Sequence, residues 1–355
     1  MDASRMPADR GDAPIAITMG DAAGIGPEIV AEVFRRWPEW SSRCVVVGDV
    51  AVMRRAAQVG GGLLPIAVLD GPAQAVHVPP RCVPVWPAVS IPALPRFGEV
   101  SAVAGRAAAD AVIAAAHAAL RGQVSAIVTA PLHKAALAAA GLDVPGHTEL
   151  LQRIAAQARG VPPTELPVRM MLSNDVLRTV LVSIHMPLRA AIEAVTEAAV
   201  WETLRITHDH FCRLLGWTRC RIAVAGLNPH AGEGGLFGRE EIDIIAPAIA
   251  RAQAAGWEVT GPHPPDTVFM RARAGEFDVV VAMYHDQGLI PVKYLGLERG
   301  VNTTLGLPFV RTSPDHGTAF DLAGRGRADP SSLLAALEAA WAMRAQGDRP
   351  DGVVD

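Results

Sequence analysis

The chain has 355 residues, 50% of them hydrophobic and 19% charged, with a formal net charge of −4. This is the composition of a globular chain long enough for two domains, and it excludes a disordered one. Mild acidity lacks the basic stripes of nucleic-acid binding, and no stretch approaches the ~20 apolar residues that span a bilayer. Cys44, Cys82, Cys212 and Cys220 form no CxxC pair, so neither a zinc ribbon nor a disulfide framework is expected.

Residues 1–12 read as a disordered leader, polar and without the apolar core of a secretory signal. Without a signal peptide, reduced thiols and a cytoplasmic chain are expected. Ile15 to Thr18 is the first predicted strand, and the loop GDAAGIGPE (Gly20 to Glu28) leads from it into a helix, Pro27 to Arg36. A strand at Cys44 to Gly48 precedes a proline-dense stretch, Gly60 to Pro95, read as irregular connection. A helix from Val100 to Leu120 follows; its alanine-rich part is interrupted by Asp110 and His117 and reads as a buried helix of a soluble chain. Further strands are predicted at Ala126 to Thr129, Val168 to Leu172, Arg178 to Ser183, Arg221 to Ala225 and Asp278 to Met283. Helices are predicted at Ala191 to Leu215, Glu240 to Ala255 and Ser331 to Ala345. Most strands are rich in Val and Ile without polar alternation, the pattern of strands covered on both faces. Strand–helix alternation therefore predicts an α/β fold with largely parallel sheets. Ser173-Asn174-Asp175 looks like a hairpin turn, which makes at least one sheet mixed.

Many chemically rich residues fall just after predicted strands, where open α/β sheets bind ligands. His185, His230 and His285 each follow a strand, and three imidazoles with an open fourth position make a Lewis-acid site for a divalent ion. No local spacing of the HExxH kind links them, and histidines at strand ends also serve as caps or core residues. The glycines at 20, 24 and 26 follow neither the GxGxxG order nor the Walker pattern, which disfavours a Rossmann site there; the loop is a tight turn or a ligand loop. Lys293, Asn302 and Arg311 offer charge-assisted and amide bonds to an anion. His147 and Thr148 open a predicted helix, where backbone N–H groups favour an anion. DHGTAFDLAG (Asp315 to Gly324) is rich in small residues that let a backbone approach a flat ligand, although a well-packed loop has the same composition.

Together these motifs resemble the 4-hydroxythreonine-4-phosphate dehydrogenase family of vitamin B6 synthesis. The resemblance runs from ITMGDAAGIGPEI at Ile17 to DLAGRGRAD ending at Asp329, and GLNPHAGEGG, MYHDQG, GVNTTLGLPFVRTS and DHGTAFDLAG are its most specific stretches. It implies two α/β/α domains of the isopropylmalate dehydrogenase type with an active-site cleft between them. One domain, 13–135 plus 300–350, would bind the cofactor; the other, 136–299, would carry the metal ligands and the dimer interface. By resemblance His185, His230 and His285 match the metal ligands, one of them coming from the partner chain of a homodimer. His147, Thr148, Lys293, Asn302 and Arg311 match substrate-binding residues. The loop carrying His316, Gly317, Thr318, Ala319, Asp321 and Gly324 looks like the one that holds NAD or NADP. Asp266 and Asp286 match acidic residues near the metal.

The implied reaction is oxidation of a phosphorylated hydroxy acid by NAD, with decarboxylation of the 3-keto acid formed. One divalent ion per site is expected, whether zinc, magnesium, cobalt or manganese. The catalytic candidates are Asp286, Asp266 and Lys293, with a metal-bound hydroxide as a further base. Two departures stand out: Ala22 where most relatives carry proline, and a longer connection, Gln157 to Leu166, that resembles an insertion. The second admits a paralogue acting on threonate or erythronate 4-phosphate. The retained Lys293, Asn302 and Arg311 speak against a more distant branch acting on unphosphorylated dihydrodiol dicarboxylates. A non-catalytic metabolite-binding protein would show ligand-induced stabilisation without NADH formation. A phosphate-transfer enzyme is disfavoured by the missing Walker lysine. Neither nucleic acid nor membrane is expected as a partner.

Overall fold

A computed structural model describes residues 13–296 and 298–344, so the expected leader at 1–12 lies outside the described residues. The strands in chain order are β1 (Ile15–Thr18), β2 (Cys44–Val47), β3 (Ile66–Val68), β4 (Val83–Trp86), β5 (Ala126–Thr129), β6 (Arg169–Ser173), β7 (Arg178–Leu181), β8 (Ile222–Ala225), β9 (Val259–His263), β10 (Val279–Ala282), β11 (Val301–Leu305) and β12 (Val310–Pro314). The helices are α1 (Gly26–Arg36), α2 (Val50–Val59), α3 (Ala102–Leu120), α4 (Lys134–Ala139), α5 (His147–Arg159), α6 (Leu188–Ala194), α7 (Glu197–His208), α8 (Ala246–Ala254), α9 (Val268–Arg273), α10 (His285–Tyr294) and α11 (Ser331–Met343).

The chain folds as two compact units. The first runs through Pro167 and resumes at Leu307; the second spans Val168–Gly306. The expected boundaries at 135 and 300 thus move to 167 and 307, because α5 packs on α3 of the first unit and β12 pairs with β5 there.

In the first unit six strands pair in the order β3-β4-β2-β1-β5-β12, all parallel. β1, β2 and β5 are buried at every position, as continuous apolar runs demand. β3 and β4 lie inside the stretch read as irregular connection. They are only three and four residues long, and Pro65 and Pro84 hide them from a periodicity count. α3 is the one described helix long and apolar enough to cross a membrane, but it is mostly buried and packs on β1, β5, α4 and α5. Gly105 permits its contact with α4: a Cβ there would lie 2.1 Å from the Ala136 carbonyl oxygen.

In the second unit the order is β11-β6-β7-β10-β8-β9. β6 and β7 are antiparallel, as the hairpin turn predicts, and Asn174 Oδ1 closes the turn by accepting from the N–H groups of Val176 and Leu177. β7, β10, β8 and β9 run parallel. Leu172, Leu181, Ala223, Val268, Val280, Leu289 and Val292 form the shared core of sheet and helices. The predicted helix from Ala191 to Leu215 is divided: α6 ends before Val195, and Thr196 caps α7 by accepting from the Ala199 N–H.

Candidate active site

The topology of the second unit explains how histidines far apart in sequence share one sheet edge. β7, β10 and β8 are consecutive parallel neighbours, so the residues that follow them emerge at the same end. Ladder bonds continue past the strands, from Val182 N–H to the Ala282 carbonyl and from Ser183 N–H to the Met283 carbonyl. They carry His185 and His285 side by side, with ring centroids 5.5 Å apart. Both line a cavity of about 250 Å³ whose wall also includes Ile184, Met186, Tyr284 and Asp286.

His230 follows the neighbouring strand β8 but does not line that cavity. Residues 230–234 all have positive φ, from 44° to 81°, although three of them (His230, Ala231 and Glu233) are not glycine. Each such residue costs on the order of 1 kcal/mol or more and persists only where its surroundings enforce it. Among the described residues no three His, Cys, Asp or Glu side chains of this chain come together as a metal cage.

The donor chemistry fits a metal nonetheless. His285 Nδ1 is 2.7 Å from Asp286 Oδ1, and His230 Nδ1 is 3.0 Å from Glu233 Oε2. A carboxylate on Nδ1 fixes the tautomer that leaves a lone pair on Nε2, the usual arrangement of a metal-bound imidazole. Asp286 thus orients a ring. Neither Asp266 nor Lys293 lines the cavity: Asp266 is exposed on the turn between β9 and α9, and Lys293 occupies the last turn of α10. His285 opens that same helix, and eight residues of helical rise separate the two by ~12 Å.

In the first unit three of the other expected groups, Arg311, His147 and Thr148, lie near the end of β5. Arg311 stands opposite Ile127 on the neighbouring strand, and its guanidinium donates from Nη2 to Thr129 Oγ1 at 2.7 Å. Burial lowers its pKa to about 10, with Glu149 acting the other way, so it stays charged at neutral pH. The His147 imidazole hydrogen-bonds the Ala130 carbonyl. Burial, aided by the Arg311 charge, holds it well below the usual histidine range, hence neutral. Its Nε2 is buried without a hydrogen-bond partner among the described residues. His147 and Thr148 begin α5, placing its N-terminal N–H groups beside this cationic centre. Asn302 lies on β11 and Lys293 on α10, both in the second unit.

A family model described as pyridoxal phosphate biosynthetic protein PdxA matches residues 40–340. The chain belongs to the PdxA family. A 4-hydroxythreonine-4-phosphate dehydrogenase of Beijerinckia indica subsp. indica is 54% identical over 333 residues, covering 94% of this chain and 96% of the relative. A D-threonate 4-phosphate dehydrogenase of Pectobacterium atrosepticum is 44% identical over 332 residues, covering 93% and 98%. Among solved structures, a 4-hydroxythreonine-4-phosphate dehydrogenase from Klebsiella pneumoniae superposes with a TM-score of 0.86 at 44% identity, over 94% of this chain and 99% of that one. The PdxA-family chain is an oxidoreductase of the dehydrogenase class.

The small-residue loop of this PdxA-family member packs directly on the glycine loop after β1. Ile25 N–H donates to the Thr318 carbonyl, and a Cβ on Gly24 would lie 3.0 Å from Thr318. Gly324 N–H donates to Glu28 Oε2, and Ala319 adopts φ 39°. Phe320 stacks on His133, with centroids 4.5 Å apart. Arg55 of α2 donates to the Ala22 and Pro95 carbonyls, tying the glycine loop to α2.

Sequence reading places Asp21 and Thr129 at the ligand-binding sheet edge, but it missed Thr129 as a partner of Arg311 and it missed His133. Asp21 is fully buried; burial pushes its carboxyl up, against a hydrogen bond from the Ala23 N–H and the nearby His133.

Proposed function

We propose that the chain is a divalent-metal-dependent, NAD- or NADP-linked dehydrogenase that oxidises 4-hydroxythreonine 4-phosphate, with decarboxylation. The observation that carries this reading is the paired emergence of His185 and His285 from adjacent parallel strands into one cavity. The 54% identity to a 4-hydroxythreonine-4-phosphate dehydrogenase supports the substrate.

His185 and His285 of one subunit would hold the ion, with His230 supplied by a second copy. Exposed Ile184, Met186 and Leu188 rim the cavity, an apolar border suited to burial in a homodimer. The ion, when bound, supplies Lewis acidity that acidifies the substrate hydroxyl and steadies charge on the oxidised carbon's oxygen, while the nicotinamide accepts hydride. Asp286 keeps His285 oriented and stands at the cavity wall, where a carboxylate can take up the hydroxyl proton. Asp266 is the other acid that the resemblance assigns near the metal, although it does not line this cavity. By resemblance, His147, Thr148, Lys293, Asn302 and Arg311 would bind the substrate's anionic groups. Lys293 as an anion holder accords better with its place at the far end of α10 than a part in proton transfer does. The loop from His316 to Gly324, with Gly317, Thr318, Ala319 and Asp321, would receive the dinucleotide. Such an enzyme of cofactor metabolism would work in the cytoplasm.

A second substrate reading, D-threonate or erythronate 4-phosphate, is favoured by the 44% identity to D-threonate 4-phosphate dehydrogenases. The deciding experiment measures NADH formation from each 4-phosphorylated four-carbon acid, before and after chelation and with single divalent ions restored. Turnover of 4-hydroxythreonine 4-phosphate that stops on chelation and returns with metal supports the proposal. Chelator-insensitive turnover overturns the metal role; preference for threonate 4-phosphate overturns the first substrate.

A further inference from the structure

Residues 230–235 are six consecutive positive-φ residues, and Glu241 packs against the start and the middle of the loop that carries them. Glu241 is 2% exposed, on the segment that leads into α8. Its Oε1 accepts from the N–H groups of Leu227 and Asn228, each at 2.7 Å, and its Oε2 accepts from Asn228 Nδ2 at 3.0 Å. The loop wraps this carboxylate from both ends. A Cβ on Gly226 would lie 3.1 Å from Oε1, and one on Gly232 would lie 2.6 Å from Oε2. Among the described residues no ion pair with Lys or Arg involves Glu241, so loop amides satisfy the buried charge. A second device joins the strand ends: Gln287 Nε2 donates to the Gly226 carbonyl at 2.7 Å, while its Oε1 accepts from Met283 N–H at 2.7 Å. Gln287 lies two residues beyond His285, and Gly226 opens the loop that carries His230.

We propose that Glu241 and Gln287 are positioning residues for the metal site: Glu241 moulds the left-handed loop that presents His230, and Gln287 locks the start of that loop to the turn that presents His285. This inference rests on the reading of His230 and His285 as metal ligands. Neither side chain touches the ion; each fixes the backbone from which an imidazole projects, and supporting partners of this kind typically change metal affinity by about 10–100-fold.

The test is titration of metal-free full-length protein with Zn²⁺ alone against a competing chelator, with circular dichroism and thermal unfolding recorded for each variant. Glu241→Ala should weaken Zn²⁺ binding by about 10–100-fold with the native spectrum retained. Glu241→Gln keeps an oxygen for both N–H groups and should stay within about fivefold of wild type. Gln287→Met has similar length but neither hydrogen bond, and should lose about tenfold; it decides the matter if Glu241→Ala does not fold. His230→Ala is the control. If it binds Zn²⁺ like wild type, the metal reading falls and takes this inference with it. If it loses Zn²⁺ while folded Glu241→Ala and Gln287→Met bind normally, only the positioning inference is overturned.

Discussion

Arg311 and Thr129 are joined by a 2.7 Å hydrogen bond, guanidinium to hydroxyl, between two buried side chains on adjacent parallel strands. The guanidinium is buried and bonds the Thr129 hydroxyl, and the nearby Glu149 favours its charged form, the form that an anionic substrate group pairs with. Replacing it should therefore damage recognition of the phosphorylated substrate and spare the dinucleotide. Arg311→Met is expected to raise KM for the substrate tenfold or more, since a hydrogen bond to a charged group contributes about 1.5–3 kcal/mol. KM for NAD should stay within about twofold, and Thr129→Val should raise the substrate KM by a smaller factor. Steady-state kinetics with each substrate varied in turn checks this; equal rises for both would show general damage.

His230 projects from an exposed loop, with its side chain 65% exposed. Its removal opens no cavity. His230→Ala should abolish measurable NADH formation while the midpoint of thermal unfolding moves by no more than about 2 °C. Normal turnover with metal bound would remove His230 from the site.

Gly288 lies one turn into α10, where the helix touches the sheet. A Cβ there would meet Leu181 Cδ2 at 2.5 Å, Thr179 Cγ2 at 2.6 Å and Ala282 Cβ at 3.0 Å. Gly288→Ala should push α10 off β7 and β10, costing about 1–3 kcal/mol, and should shift His285 with it. Chemical denaturation and Zn²⁺ affinity should therefore fall together. A variant as stable as wild type would show that the contact yields without cost.

Acid should destabilise the fold through His210. Burial lowers its pKa to about 4, and both ring nitrogens are buried without hydrogen-bond partners among the described residues. The ring is neutral in the folded chain, while the unfolded chain takes up a proton below the ordinary value near 6.5. The stability tied to this ring is complete above pH 6.5 and is lost as pH falls toward about 4, amounting to about 3 kcal/mol. His147, held low by burial and Arg311, acts in the same direction. His210→Leu should lose less stability between pH 7 and pH 4.5 than wild type does, read by urea denaturation at each pH. Parallel pH profiles would mean that His210 is protonated in the fold.

The sequence by itself determined the α/β class, the mixed character of one sheet and the identity of the chemical groups. Apolar runs such as IAIT and VVVA can bury both faces only inside a covered sheet, and Ser173-Asn174-Asp175 can close a hairpin through local hydrogen bonds. These are short-range properties, legible one segment at a time. What tertiary structure decided is adjacency. β7, β10 and β8 are neighbours although their order in the chain is different, and only that pairing sets His185 beside His285. The short strands β3 and β4, the break between α6 and α7 and the move of α5 into the first unit follow from long-range packing that overrides weak local signals. Glu241 had no mark in the sequence beyond being an acid in the first turn of a predicted helix. Its meaning lies in three hydrogen bonds to residues 227 and 228, a relation between distant segments that no local pattern encodes.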